Sequence, residues 1–188
     1  MNFDSRQLVK YKSSRAAVVP YTIIYKNDTV KLWFLFGIHT ESGDISDFGG
    51  GVKKDENDLI AGFREFNEET KEIFKDVIGL DDMANCASAY KQGYGNNRGM
   101  SVTFIPIHPR WLDTAVCLFK STTIKHEEIS DILWISEIDF TNLLNGFKLL
   151  NRTMWSRLRT FYQHIYNYDL HRKLCLSFYS TKPTYHFT

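Results

Sequence analysis

The sequence predicts a chain of mixed class, α/β with a mixed sheet or α+β. Three observations predict it. Two runs rich in β-branched and aromatic residues stand near the start with a polar turn between them. A helical apolar stripe follows a glycine cluster. Further strand and helix patterns then alternate without the strict β-α-β order of a doubly wound sheet.

The first strand runs Ala16–Tyr25 and the second Val30–Ile38, and Lys26-Asn27-Asp28-Thr29 joins them as a hairpin turn. After the cluster Asp47-Phe48-Gly49-Gly50-Gly51-Val52, a helix begins with Asn57 or Asp58 as its cap. Leu59, Phe63, Phe66, Thr70 and Ile73 form its apolar stripe. A strand is expected over Ser101–Ile107, where Pro106 pushes it towards a sheet edge or a bulge. Trp111–Lys125 reads as an excursion with one more strand around Ala115–Phe119. Asp131–Ile135 is another strand, and Phe140–Leu150 a short helix.

From Thr153 to about Leu176 the pattern predicts one long helix with Trp155, Leu158, Phe161, Ile165 and Leu176 apolar. Its inward face would carry Trp155, Leu158 and Phe161, leaving Arg152, Arg157 and Arg159 solvated, although such interleaving also suits a nucleic-acid backbone. No stretch reads as a linker, so residues 1–188 are expected to form a single domain.

Composition narrows the function classes. Hydrophobic residues at 43% and charged residues at 24% exclude intrinsic disorder. No apolar run approaches the ~20 residues that span a bilayer, so no membrane partner is expected. The N-terminus lacks the apolar middle of a signal peptide, and a cytoplasmic location is expected. Cys86, Cys117 and Cys175 form no CxxC, so neither a zinc site nor a disulfide framework is suggested, and mostly buried, reduced thiols are expected. Charge is segregated: residues 1–31 carry net +4, residues 32–150 net −8, and residues 151–188 net +5. An acidic centre between basic ends suits a cation site flanked by phosphate-receiving surfaces, or ordinary surface scatter.

The informative segment is Gly49–Glu72. Glu65, Glu68, Glu69 and Glu72 fall at i, i+3, i+4 and i+7, four carboxylates on one helix face. Each such like-charge pair destabilises a helix by roughly 0.2–0.5 kcal/mol. Arg64 and Lys71 can each reach Glu68 and give local relief. A hard cation such as Mg²⁺ among the carboxylates would make sense of the repulsion, and glycines would let backbone approach the ion. A solvated acidic face is the other reading of the same pattern.

The spacing resembles the motif of the Nudix hydrolase superfamily: a glycine, five residues, Glu, seven residues, then Arg-Glu-apolar-x-Glu-Glu-x-Gly-apolar. Here Gly50 is followed by five residues and Glu56, and seven more lead to Arg64-Glu65-Phe66-Asn67-Glu68-Glu69. Lys71 stands where the family has the glycine that ends the helix, which implies a helix continuing to about Phe74, or one that ends differently. The glycine triplet in a Lys-, Asn- and Phe-rich chain is also similar to Nudix proteins of large DNA viruses, some of which decap mRNA.

The resemblance implies a mixed sheet sandwiched between helices, with a helical extension over about 151–188. It also implies hydrolysis of a nucleoside diphosphate derivative with Mg²⁺ or Mn²⁺. By carry-over, Glu65, Glu68 and Glu69 would be metal ligands, joined by a Gly49 or Gly50 carbonyl. Arg64 would hold the carboxylates in place, and Glu56 would assist. A second acidic site would come from Glu127 or Glu128. Arg98 or Lys91 would meet phosphate, and Tyr90 or Tyr94 would stack on a base.

The expected substrate is a small nucleotide, a damaged nucleoside triphosphate among the candidates. The alternatives are an mRNA-decapping enzyme with RNA as partner and a non-catalytic nucleotide sensor. The intact carboxylate set speaks against the sensor. A homodimer is left open.

Overall fold

The computed structural model describes residues 13–26, 29–92 and 99–181. Among them seven strands form one sheet: β1 Arg15–Lys26, β2 Thr29–His39, β3 Ile45–Ser46, β4 Phe48–Gly51, β5 Ala87–Lys91, β6 Met100–Pro106 and β7 Ile129–Ser136. β1 pairs with β6 in parallel and the other pairings are antiparallel, so the sheet is mixed as the sequence predicts. The hairpin is present, and its turn residues Asn27 and Asp28 lie outside the described residues.

β1 and β2 pair along only part of their length, Tyr21↔Phe34 to Lys26↔Thr29, and then diverge. The short strands β3 and β4 enter the split. β3 pairs with the far end of β2, and β4 with the start of β1. This divergence opens the cleft described below.

Side chains alternate across the sheet and feed two cores. Val18 and Leu35 face a core completed by α1 Asp58–Glu69, α2 Leu80–Ala84 and α3 Trp111–Ser121, through Phe66, Met83, Trp111, Ala115 and Phe119. Ala17, Val19, Phe34 and Phe36 face the other, completed by α4 Glu137–Leu144, α5 Ser156–Ile165 and α6 Tyr168–Thr181. Helices therefore cover both faces. No helix among the described residues is long and apolar enough to cross a membrane.

Several elements differ from the sequence reading. The strand expected around Ala115–Phe119 is part of the helix α3, because Trp111, Ala115 and Phe119 recur every four residues and bury one stripe. A short apolar run cannot by itself tell the two periods apart. β6 is an interior strand between β1 and β5, not an edge. Pro106 is its last residue, beyond the β5 pairing, and the Ile107 N–H restores the ladder at 2.8 Å from the Tyr21 carbonyl. The short helix α4 starts earlier than expected, capped by the Ser136 hydroxyl.

The long C-terminal helix is two helices. Asn167 Oδ1 accepts the Leu170 N–H at 3.0 Å and starts α6 afresh. Nor is this segment an appendage, since Leu158, Phe161, Tyr162, Ile165 and Leu174 complete a core. Trp155, expected inside, is 40% exposed. Cys86 and Cys175 are half-buried but Cys117 is exposed, against the expectation of mostly buried thiols.

The helix α1 ends at Glu69 rather than at Phe74. Lys71 and Glu72 both adopt left-handed backbone, φ 54° and 59°. The Lys71 N–H donates to Glu68 O at 3.1 Å and the Glu72 N–H to Asn67 O at 2.8 Å, the two bonds of a Schellman cap. The cap thus forms without its glycine. Lys71 Nζ sits 3.9 Å over the Phe119 ring, a cation–π contact that offsets the strain.

Candidate active site

The glycines bring helix and sheet into contact. Gly49 and Gly50 lie opposite Ala17 and Ala16 on β1. A Cβ on Gly49 would stand 2.4 Å from that of Ala17, and one on Gly50 would stand 2.4 Å from the Glu65 carboxyl carbon. Only a residue without a side chain lets the Glu65 carboxylate lie against the strand. Asn57 starts α1, its Oδ1 accepting the Ile60 N–H at 2.9 Å, and buried Asp58 accepts the Ser13 N–H at 2.9 Å.

Arg64 organises the outer face. Its Nε and Nη2 donate to the two Glu56 oxygens at 2.6 and 3.0 Å. Nη1 donates to Glu65 Oε1 at 2.6 Å and to Glu68 Oε2 at 3.3 Å, and Nη2 also reaches the Gly51 carbonyl at 3.2 Å. One guanidinium thus holds three carboxylates and the glycine strand. Its hydrogen bonds, with that of the Lys53 N–H, hold the Glu56 carboxyl down to about 2. The expected Lys71–Glu68 contact is not made, since Lys71 has turned to Phe119.

Glu69 turns inward and is 3% exposed. Its Oε2 accepts the Gly49 N–H at 2.7 Å. Burial pushes its carboxyl up to about 9, against the pull of Arg15 and of that N–H. Beside it Arg15 Nη2 donates to Asp47 Oδ1 at 2.6 Å and to the Gly49 carbonyl at 2.8 Å. The Tyr162 hydroxyl donates to Asp47 Oδ2 at 2.6 Å, and burial raises its own pKa well above the usual range. Arg15 Nη1 is buried with no hydrogen-bond partner.

These groups border a cleft of about 420 Å³ in the split between β1 and β2, lined by Arg15, Gly49, Glu69, His39, Glu128 and Trp155 among others. Glu128 is positioned by its carbonyl, which accepts the Thr40 N–H at 2.8 Å. Glu127 is exposed and does not line the cleft. Tyr90 and Lys91 sit on β5, at the edge of the sheet away from β3, and are likewise not part of it. Tyr94 and Arg98 lie outside the described residues. Sequence reasoning missed Arg15, Asp47, Tyr162, His39 and Trp155 as site residues. Only Asp47, adjoining the glycines, carried a local signal.

Among the described residues no three His, Cys, Asp or Glu side chains gather into a metal cage. In chemistry the donors fit a hard divalent cation, since Glu65, Glu68 and Glu69 offer carboxylate oxygen alone and Gly50 leaves the space that Glu65 fills. The Gly49 carbonyl, expected as a further ligand, is engaged by Arg15.

The sequence matches no family model and none of the curated proteins. The structure is similar to that of a mutT/nudix family protein from Listeria innocua, at 14% identity and a TM-score of 0.47 over 92% of this chain and 98% of that one. It is similar to a bifunctional NMN adenylyltransferase/ADP ribose pyrophosphatase from Francisella tularensis, complexed with AMP and a manganese ion. The identity there is 16% and the TM-score 0.45, over 85% of this chain and 44% of that one. A C. elegans Ap4A hydrolase binary complex is similar at 14% identity and a TM-score of 0.43, over 91% and 98%. At such identity these are likenesses of chain path and say nothing of what this chain's own side chains do.

Proposed function

We propose that this chain is a Nudix-type hydrolase that cleaves a phosphoric anhydride bond in a small nucleoside diphosphate derivative, with Mg²⁺ or Mn²⁺ as cofactor. One observation carries the reading. The residues at the motif's spacing meet in space, with Arg64 joining Glu56, Glu65 and Glu68 against the glycine strand. Three carboxylates against one guanidinium leave two negative charges over, which a divalent cation balances.

Glu65, Glu68 and Glu69 would hold that ion. A bound Mg²⁺ supplies Lewis-acid neutralisation of phosphate oxygens and an acidified water. The chain's own residues do the rest. Arg64 fixes the carboxylates, and Glu56 fixes Arg64 by a two-point contact that leaves it one orientation. The Gly49 N–H aims Glu69. Glu128 adds a carboxylate to the cleft wall, and one carboxylate of the set takes the proton of the attacking water.

A small nucleotide is favoured over capped RNA because the basic C-terminal residues are partly committed. Arg152 Nη1 donates to the Gly43 carbonyl at 2.8 Å, and Arg159 is half-buried on α5. The test is a panel of nucleoside triphosphates, oxidised forms included, dinucleoside polyphosphates and capped RNA, with products identified. Hydrolysis of a small nucleotide should stop with chelator and return with Mg²⁺ or Mn²⁺ without zinc. Full turnover in chelator would overturn the mechanism, and cleavage confined to capped RNA would overturn the substrate class.

A further inference from the structure

We infer that Trp155 is the surface on which the substrate's nucleobase stacks, so that the cleft takes a nucleoside phosphate rather than a bare phosphate chain. This deepens the proposed function and rests on it for the identity of the cleft.

Trp155 lies between α4 and α5, and its backbone is fixed to the short strand β3. The Trp155 N–H donates to the Ile45 carbonyl at 3.2 Å, and the Ile45 N–H to the Thr153 carbonyl at 2.8 Å. Thr153 Oγ1 donates to Asp44 Oδ1 at 2.7 Å, and Arg152 is held on Gly43. Met154, next to it, is buried in the core as an anchor. Successive side chains of an extended segment point opposite ways, so the indole is turned out as Met154 is turned in. It lines the cleft.

The ring belongs to neither of the two hydrophobic cores. Most large aromatics here are buried and paired, as in Phe36–Phe140 and Phe140–Tyr162. Trp155 is 40% exposed and belongs to no ring pair among the described residues. Nor does its side chain cap α5, although it occupies the N-cap position. A large rigid ring held open to a cleft is available to a ligand with a flat apolar face.

The rest of the wall is polar, with Arg15, Glu69, Glu128, Ser42 and Asp44. Arg15 can receive an oxyanion directly, and the carboxylates would do so through the divalent cation of the proposed function. A ligand matching both parts therefore has a planar aromatic end and a phosphate end, which is the chemistry of a nucleoside phosphate. A cleft of about 420 Å³ lies within the ordinary range for small-ligand sites. Stacking accepts any base, so the contact selects nucleotides as a class rather than one base.

The test compares equilibrium binding of AMP and of ribose 5-phosphate, with Mg²⁺, to the wild-type chain, Trp155→Ala and Trp155→Phe. Trp155→Ala should weaken AMP about tenfold or more and leave ribose 5-phosphate unchanged, while Trp155→Phe should restore AMP binding to within about threefold. AMP should quench tryptophan emission in the wild type and not in Trp155→Phe. Equal AMP affinity in wild type and Trp155→Ala would overturn the inference, as would an equal loss on both ligands. The two readings fail separately. Trp155-dependent AMP binding without hydrolysis keeps this inference and removes the proposed function. Metal-dependent hydrolysis with the same KM in Trp155→Ala removes this inference alone.

Discussion

On one side of Gly49–Gly51, Arg64 ties Glu56, Glu65 and Glu68 in a partly exposed cluster, open to solvent mainly at Glu68. On the other, Arg15 and Tyr162 hold Asp47 beside Glu69, and all four are nearly closed off from water. The components are alike, an arginine and several carboxylates. The solvent is not. In the outer cluster water screens the charges, so an excess of carboxylate can persist and stay available to a cation. In the inner cluster an unbalanced charge is expensive, and the structure balances it. Arg15 faces Asp47, and burial pushes Glu69 up to about 9. On the proposed function the outer carboxylates and Glu69 face the ligand, while Arg15, Asp47 and Tyr162 hold the glycine strand in position.

The largest expected effect separates the two by stability. Arg15→Met leaves Asp47 in the core without its partner and should cost ~3–5 kcal/mol. Arg64→Met should cost about 1 kcal/mol or less, yet depress turnover. Urea denaturation of both variants reads this, and equal losses would abolish the distinction. Next come Glu68→Gln and Glu69→Gln. Each replaces a carboxyl that can ionise onto a cation by a neutral amide of the same shape, so turnover should drop ~10²-fold with the fold intact. In Glu69→Gln the side-chain amide oxygen would still accept the Gly49 N–H. Wild-type turnover in both variants would remove the cation-binding role of the α1 carboxylates.

Smaller effects sharpen the same contrast. Tyr162→Phe strips a donor from buried Asp47 Oδ2 and should lower stability by ~1–3 kcal/mol, with turnover per folded molecule unchanged. The smallest effect belongs to Glu56, whose carboxyl Arg64 lowers to about 2. A depressed carboxyl contributes stability that is fully present above the ordinary carboxylate range and lost as pH falls through it towards the folded value. The urea-midpoint advantage of wild type over Glu56→Gln should therefore shrink between about pH 6 and about pH 3. An advantage that grows on acidification would contradict the Arg64–Glu56 pairing.

Legibility follows the distance between partners along the chain. Every contact of the Arg64 cluster spans at most 13 residues, so a helix period and a motif spacing were enough to assemble it. Tyr162 reaches Asp47 across 115 residues and Arg15 reaches it across 32, and no local pattern encodes either meeting. The same rule explains the misread elements. Ala115–Phe119 is too short to declare its period. The break at Asn167 hides in an apolar stripe that continues on both sides of it. Lys71 breaks the motif's final position, yet the helix stops where a glycine would have stopped it, because Phe119 from α3 supplies a contact the sequence around Lys71 does not show.

By itself the sequence determined the mixed class, the hairpin and the face of α1 that carries the carboxylates, because these depend on side-chain periods and backbone preferences within a few residues. That the glycine cluster is a strand paired with β1 was decided by the tertiary structure. Tertiary structure alone decided which carboxylate was turned inward, that Arg15 and Tyr162 would meet Asp47, that Glu128 rather than Glu127 would line the cleft, and that Trp155 would face it. Those outcomes depend on desolvation and on the meeting of distant segments, and both exist only once the split between β1 and β2 has formed.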